Sequence, residues 1–296
     1  MTNYADFKAA VEGISGGKNT VLLDKFGNPS VVVPIAKMTY KDVGVGDDTV
    51  LPAFKIDGVE KPYFCLGKYH DTLVNGVPCS LPMQTPAVNV SFDEAVSQSR
   101  SKGEGWTLAT NAMYAAIQLW CLANDFQPRG NNNYGCDHAH AWEKGIPATY
   151  GSDGKVNLTL TGSGPVSWCH NNDLSGICDL NGNAWEWAAG LRIVDGEIQI
   201  IQHNDAALAT ADLSASSTLW KAITADGSLV ARHVGHHQAR LAQQQDYPRY
   251  RRPDRKERHW PWHWLHLSGN HAVYRAADSL WHWHVPEEPR RRLRRR

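Results

Sequence analysis

The chain has 296 residues, 42% of them hydrophobic, with 30 basic and 30 acidic side chains and a formal net charge of zero. That length allows one large domain or two smaller ones with a sizeable core, while the longest apolar stretch, Val31 to Ala36, is far short of the roughly 18 residues of a membrane span. The zero excludes no charged partner, because residues 1–230 hold 15 Lys/Arg against 24 Asp/Glu and residues 231–296 hold 15 against 6, so −9 cancels +9.

The opening residues, Met1 to Asp6, lack a basic segment followed by an apolar one, so no secretory signal is visible and cytoplasmic synthesis is expected. Phe7, Val11 and Ile14 recur at helical spacing, and Gly16-Gly17 ends the pattern. Val21–Leu23 and Ser30–Val33 flank Phe26-Gly-Asn-Pro29 and predict a hairpin. Residues 1–50 therefore read as a small helix-hairpin segment, and the polar residues 41–60 as a linker. From Lys61 to residue 230 a compact, loop-rich domain is expected, with Tyr63–Tyr69 as a strand.

Ser91 and Glu94 fit a capping box opening a helix that ends by Gly103 or Gly105. A second helix is predicted from Thr110 to Ala123, with Met113, Ala116, Ile117 and Trp120 on a core-facing side. Residues 129–135 and 159–165 are turn-rich. Together these elements predict an α+β domain. The six Cys, at 65, 79, 121, 136, 169 and 178, form no CxxC pair and read as reduced thiols.

Candidate chemistry is sparse. Cys136, His138 and His140 would share one face of an extended strand, the arrangement a metal needs, but no fourth ligand is evident and no metal is assigned. Cys169 and His170 are adjacent, a poor arrangement for a thiolate–imidazole pair. The most specific string is Asp179-Leu-Asn-Gly-Asn-Ala-Trp-Glu-Trp187. It reads as a tight turn in which Asn181-Gly182 supplies positive φ and Asn183 bonds nearby backbone, leading into a strand. Trp185 and Trp187 then point to one face as core anchors, with Glu186 on the other, toward loop backbone or solvent.

This string resembles the signature of the formylglycine-generating enzyme and sulfatase-modifying-factor superfamily, which implies a C-type-lectin-like fold. Phe64–Tyr69, Pro86–Phe92 and Gly105–Tyr114 look like further segments of it, in the same order. Residues 129–135, Glu143-Lys-Gly145, Leu160–Pro165 and Gly190–Ile200 are similar to ligand-binding members diversified by retroelements in phages and gut bacteria. The resemblance implies a non-enzymatic display protein for a protein or carbohydrate receptor. It would be phage- or prophage-associated and held in a virion or surface assembly through its N-terminal segment, with homo-oligomers a further implication. An oxidase of the formylglycine-generating type is the alternative.

Two departures matter. Met113 and Tyr114 stand where the superfamily commonly has Glu and Trp, so Thr110 has no Glu to complete a capping box. The enzymes' redox-active Cys pair lies near the C-terminus, whereas the last Cys here is Cys178, so the catalytic role is not carried over. Some members of the fold bind calcium. Asp173, Asp179 and Asn183 could offer oxygens, but their spacing matches no defined loop, and no cofactor is assigned.

After Val230 the resemblance stops. Residues 231–296 carry 9 of the 14 His and 5 of the 12 Trp, and no Thr, Ile, Phe, Cys or Met. Arg, His and Trp in alternation arise when codons for Gly and Thr are read one base out of register, so a frameshift near Val230 is the expected source, with the variable binding segment lost. Read as protein, this tail predicts disorder. Arg290–Arg296 could meet phosphates, but no pattern organises it and nucleic acid is not the expected partner. His233, His236, His237 and the cluster at 282–284 match no closed zinc site.

Overall fold

A computed structural model describes residues 4–224 and 227–232. The first helix, α1 (Tyr4–Ile14), is followed by β1 (Thr20–Leu23) and β2 (Pro29–Ala36), the expected helix and hairpin. Two short hairpins flank β5 (Tyr63–Gly67): β3 (Lys55–Ile56) with β4 (Val59–Glu60), and β6 (Asp71–Val74) with β7 (Val77–Ser80). The helices α2 (Phe92–Ser101) and α3 (Asn111–Ala123) follow, then the hairpin of β8 (Pro147–Tyr150) and β9 (Val156–Thr159). A meander of β10 (Leu191–Val194), β11 (Glu197–Ile201), β12 (Trp220–Ile223) and β13 (Leu229–Ala231) closes the described chain. The architecture is mixed α and β, with three α-helices, small antiparallel sheets and long loops among the described residues.

Strand β2 lies between β1 and β5, antiparallel to both, with Val33 opposite Leu66 and Val31 opposite Val21. Val31, Val32 and Val33 are all buried, so both faces of β2 are covered and its sequence is continuously apolar rather than alternating. The main core joins Val33, Phe54 and Phe64 to Met113, Ile117 and Leu180, placing α3 against the first sheet. Trp120 is partly buried against this cluster. A second, smaller core gathers Ala189, Ile201, Ala206 and Trp220 under the meander.

The helix starts follow the expected chemistry. Ser91 and Glu94 close a capping box, each side chain receiving the other's backbone N–H, at 3.3 Å for Glu94 N–H to Ser91 Oγ and 2.9 Å for the return. Thr110 Oγ1 accepts Met113 N–H at 3.2 Å, half a box only, since Met113 has nothing to return.

Two expectations are corrected. Residues 41–60 are no linker: Val43, Leu51, Ala53 and Phe54 are buried in the main core, because the polar residues between them sit in turns that turn these few apolar side chains inward. Nor are all cysteines thiols. Cys169 and Cys178 form a disulfide, the antiparallel bridge between them bringing their Cα atoms to 4.0 Å. The other four are free. Among the described residues no helix is long and apolar enough to cross a membrane.

Candidate functional site

The motif at 179–187 divides into two halves with different work. In the first, Asp179, Gly182 and Asn183 all take positive φ, at 61°, 83° and 63°. The resulting tight path carries the backbone against the loop at 130–132. A Cβ on Gly182 would stand 2.2 Å from the Asn131 carbonyl oxygen, and one on Gly130 would stand 1.7 Å from that of Asn181, so each chain needs glycine where it faces the other. Asn183 locks the contact: its Oδ1 accepts Thr159 N–H at 2.8 Å and Asn131 Nδ2 at 3.1 Å, and its Nδ2 donates to the Thr159 carbonyl at 3.1 Å. Asp179 is buried and its Oδ2 accepts Gly162 N–H at 2.6 Å. Burial holds its carboxyl above the usual range, against the opposing pull of His70.

The second half departs from expectation. No strand forms at 185–187, and the tryptophans are not core anchors: Trp185 is 70% and Trp187 38% exposed, while Trp168 and Trp220 fill the interior. The chain leaves the 179–183 turn along the surface, and its first bridge comes only at Ala189, beside Thr110. Trp187 is nonetheless held, its Nε1 donating to the Val90 carbonyl at 2.8 Å and its ring meeting Phe92 edge-on at 5.8 Å. Glu186 is exposed, with its carboxylate turned toward two inner side chains. Its Oε1 accepts the Tyr114 hydroxyl at 3.0 Å and lies 3.6 Å from His70 Nε2.

His70, Asp71, Tyr114, Glu186 and Trp187 are among the many residues that line one extended, open cavity. Burial alone would lower the His70 pKa, but the Glu186 carboxylate, with Asp179 and Asp71 behind it, overrides this and raises it to about 9. Burial and the same carboxylate push the Tyr114 hydroxyl well above its ordinary value, so it is a donor to Glu186 at any physiological pH. Neither His70 nor Asp71 was singled out by sequence. Tyr114 was marked only as a replacement of Trp, and its hydroxyl is what the replacement contributes.

The remaining sequence candidates fall elsewhere. Cys136, His138 and His140 lie in a loop, not on a strand, so the shared face does not form. His138 Nδ1 is 3.1 Å from Asn132 Oδ1, and His140 Nδ1 is 3.1 Å from Asp137 Oδ1. Asp173 accepts Ser175 N–H within its own loop, away from the Gly162 and Thr159 contacts of Asp179 and Asn183. Among the described residues no three His, Cys, Asp or Glu side chains come together to hold a metal. Cys169 is tied up in its disulfide, and His170 Nδ1 accepts Ile177 N–H at 2.8 Å. Burial, with the Lys68 ammonium nearby, lowers the His170 pKa to about 4. The histidine clusters of the tail, Arg290–Arg296 and the expected frameshifted segment beyond residue 232 lie outside the described residues.

No protein-family model matches the chain, and no curated protein matches it either.

Proposed function

We propose that the protein is a non-enzymatic binding module of C-type-lectin-like fold that engages a protein or carbohydrate receptor through the cleft at His70, Tyr114 and Glu186, with the ring of Trp187 on its wall. One observation carries this reading: a motif whose first half is bonded rigidly into the scaffold delivers Glu186 and Trp187 to an accessible surface. Rigid support with an exposed aromatic beside a carboxylate is the arrangement of a recognition site, where large rings supply contact area at low entropic cost. The resemblance described above supports the fold and the phage or prophage setting, with residues 1–50 as the attachment segment. Carbohydrate and protein surfaces both offer apolar faces for the indole and donors for the carboxylate.

The experiment is a glycan-array and bacterial-cell binding measurement with the full chain, beside Trp187→Ala. Saturable binding that weakens at least tenfold in the variant is expected. Binding that ignores the substitution, or none to any glycan or cell, overturns the proposal. An oxidase assay on a cysteine peptide with copper supplied is the companion arm, and turnover there would replace this reading by the enzymatic one.

A further inference from the structure

Residues 170–177 form a loop whose ends are joined by the Cys169–Cys178 disulfide. Its backbone carbonyls meet two buried polar side chains from the N-terminal part of the chain. Lys68 is 5% exposed, and its Nζ donates to the Leu174 carbonyl, to the Gly176 carbonyl at 2.9 Å and to Asn19 Oδ1 at 2.9 Å. Asn19, also buried, donates from Nδ2 to the Ser175 carbonyl at 2.7 Å. The Asn19 N–H in turn donates to Ser15 Oγ at 2.9 Å, and that hydroxyl donates to the Val11 carbonyl of α1 at 2.8 Å. The loop thus closes over the residue that follows β5 and fastens the junction of α1 with β1.

The hold is polar. From Asn171 to Gly176 the one large apolar side chain is Leu174, and it is exposed; the loop contributes to the main core only at Ile177. Lifting residues 171–176 therefore costs mainly hydrogen bonds that water can replace. It also returns the Lys68 ammonium to water, from which burial removes it far enough to lower its pKa to about 8. What opposes the lifting is the covalent ring. While Cys169 and Cys178 are joined, the loop ends cannot part, and an opened loop gains little freedom.

We propose that Cys169–Cys178 is a redox-sensitive latch: oxidised, it holds the 170–177 loop over Lys68 and Asn19, and reduced, it lets the loop lift, exposing the Lys68 amine and loosening the junction of α1 with β1. The reductant is a dithiol. It passes through a mixed disulfide, gives one hydrogen to each of the two cysteine sulfurs with the two electrons that break their bond, and leaves as its own cyclic disulfide. A small disulfide oxidant reverses the step. The latch does not depend on the receptor-binding reading of the cleft.

The test incubates the full chain with dithiothreitol under native conditions until free thiols rise from four to six, and follows hydrogen exchange by mass spectrometry. Exchange over residues 15–20 and 170–178 is expected to rise at least about tenfold, while α3 and the β8–β9 hairpin stay within about twofold. Oxidised glutathione should restore the first pattern. Acetylation by an N-hydroxysuccinimide ester, read at each lysine of the Cys169→Ser/Cys178→Ser protein, separates a latch from general loosening. Lys68 should react at least about tenfold faster than in the oxidised wild type. Lys102, equally buried but held elsewhere by Ser30 Oγ and the Pro78 carbonyl, should not change. Should the double variant not fold, exchange in the reduced wild-type chain decides alone. Unchanged exchange after reduction, a rise of similar size across α3, a folded double variant whose Lys68 stays protected, or a disulfide that dithiothreitol cannot open in the folded chain overturns the proposal.

Discussion

One buried imidazole contributes to the acid sensitivity of the fold. His170 is 6% exposed, and its Nδ1 must be unprotonated to accept the Ile177 N–H at 2.8 Å. Its ring lies edge-on to Trp120 at 5.2 Å, with the Lys68 ammonium close enough to oppose a second positive charge. Burial first, and Lys68 second, lower its pKa from 6.5 to about 4. The unfolded chain therefore binds a proton between those values that the folded chain refuses. The stability it contributes is fully present above pH 6.5 and is lost as pH falls toward 4, amounting to about 3 kcal/mol for a shift of this size.

His170→Asn isolates this contribution, because the amide oxygen can take the place of Nδ1 as acceptor without titrating. Urea unfolding of both proteins at pH 7, 6, 5 and 4.5 is the assay. The wild type should lose stability progressively more than the variant, the difference approaching about 3 kcal/mol at the acid end. Parallel curves across that range would refute the reasoning, since they would mean that His170 protonates without cost in the folded state.

Other substitutions probe the scaffold. Reducing Cys169–Cys178, or replacing both by Ser, opens a loop whose ends are 9 residues apart in sequence and should cost about 2.5 kcal/mol on the chain-entropy relation, read as a lower urea midpoint. Thr110→Ala removes both the cap on Met113 N–H and the 2.6 Å bond to buried Asn204 Oδ1, and should cost about 2–3 kcal/mol, while Thr110→Ser stays within about 1 kcal/mol of wild type by the same thermal or urea measurement. Gly182→Ala places a methyl 2.2 Å from the Asn131 carbonyl at a φ of 83°, and should destabilise by more than about 2 kcal/mol and loosen the 130–132 loop in hydrogen exchange. A Gly182→Ala protein with native stability would show that the two backbones part without penalty.

Local patterns made much of the frame readable. The period of Phe7, Val11 and Ile14, the Ser91–Glu94 pair and the turn residues between β1 and β2 each act over a few residues, and each formed as expected. What depended on distant partners was not readable. Residues 41–60 are polar on average, and only contact with α3 and β5 makes Val43, Leu51 and Phe54 core residues. The disulfide needed the bridge between residues 169 and 178 to align, which spacing alone does not reveal. His70 has no neighbour in sequence that marks it, because its meaning comes from Glu186, more than a hundred residues away.

The motif at 179–187 shows why the same string was half legible. Alternating Trp-Glu-Trp predicts a strand with rings on one face, provided that a neighbouring strand is there to pair. The preceding turn is instead held by bonds to residues 131, 159 and 162, and no strand forms at 185–187. Inverted from the expectation, the carboxylate turns inward to Tyr114 while the rings stay outside. That inversion converts a packing motif into a charged cleft with an aromatic wall. It also moves the electrostatic argument from the whole chain to one place. A net charge of zero, or even the −9 of residues 1–230, describes long-range steering, which is screened beyond about 10 Å at ordinary salt. The Glu186 carboxylate stands 3.6 Å from the buried His70 imidazole, a separation at which salt screens little.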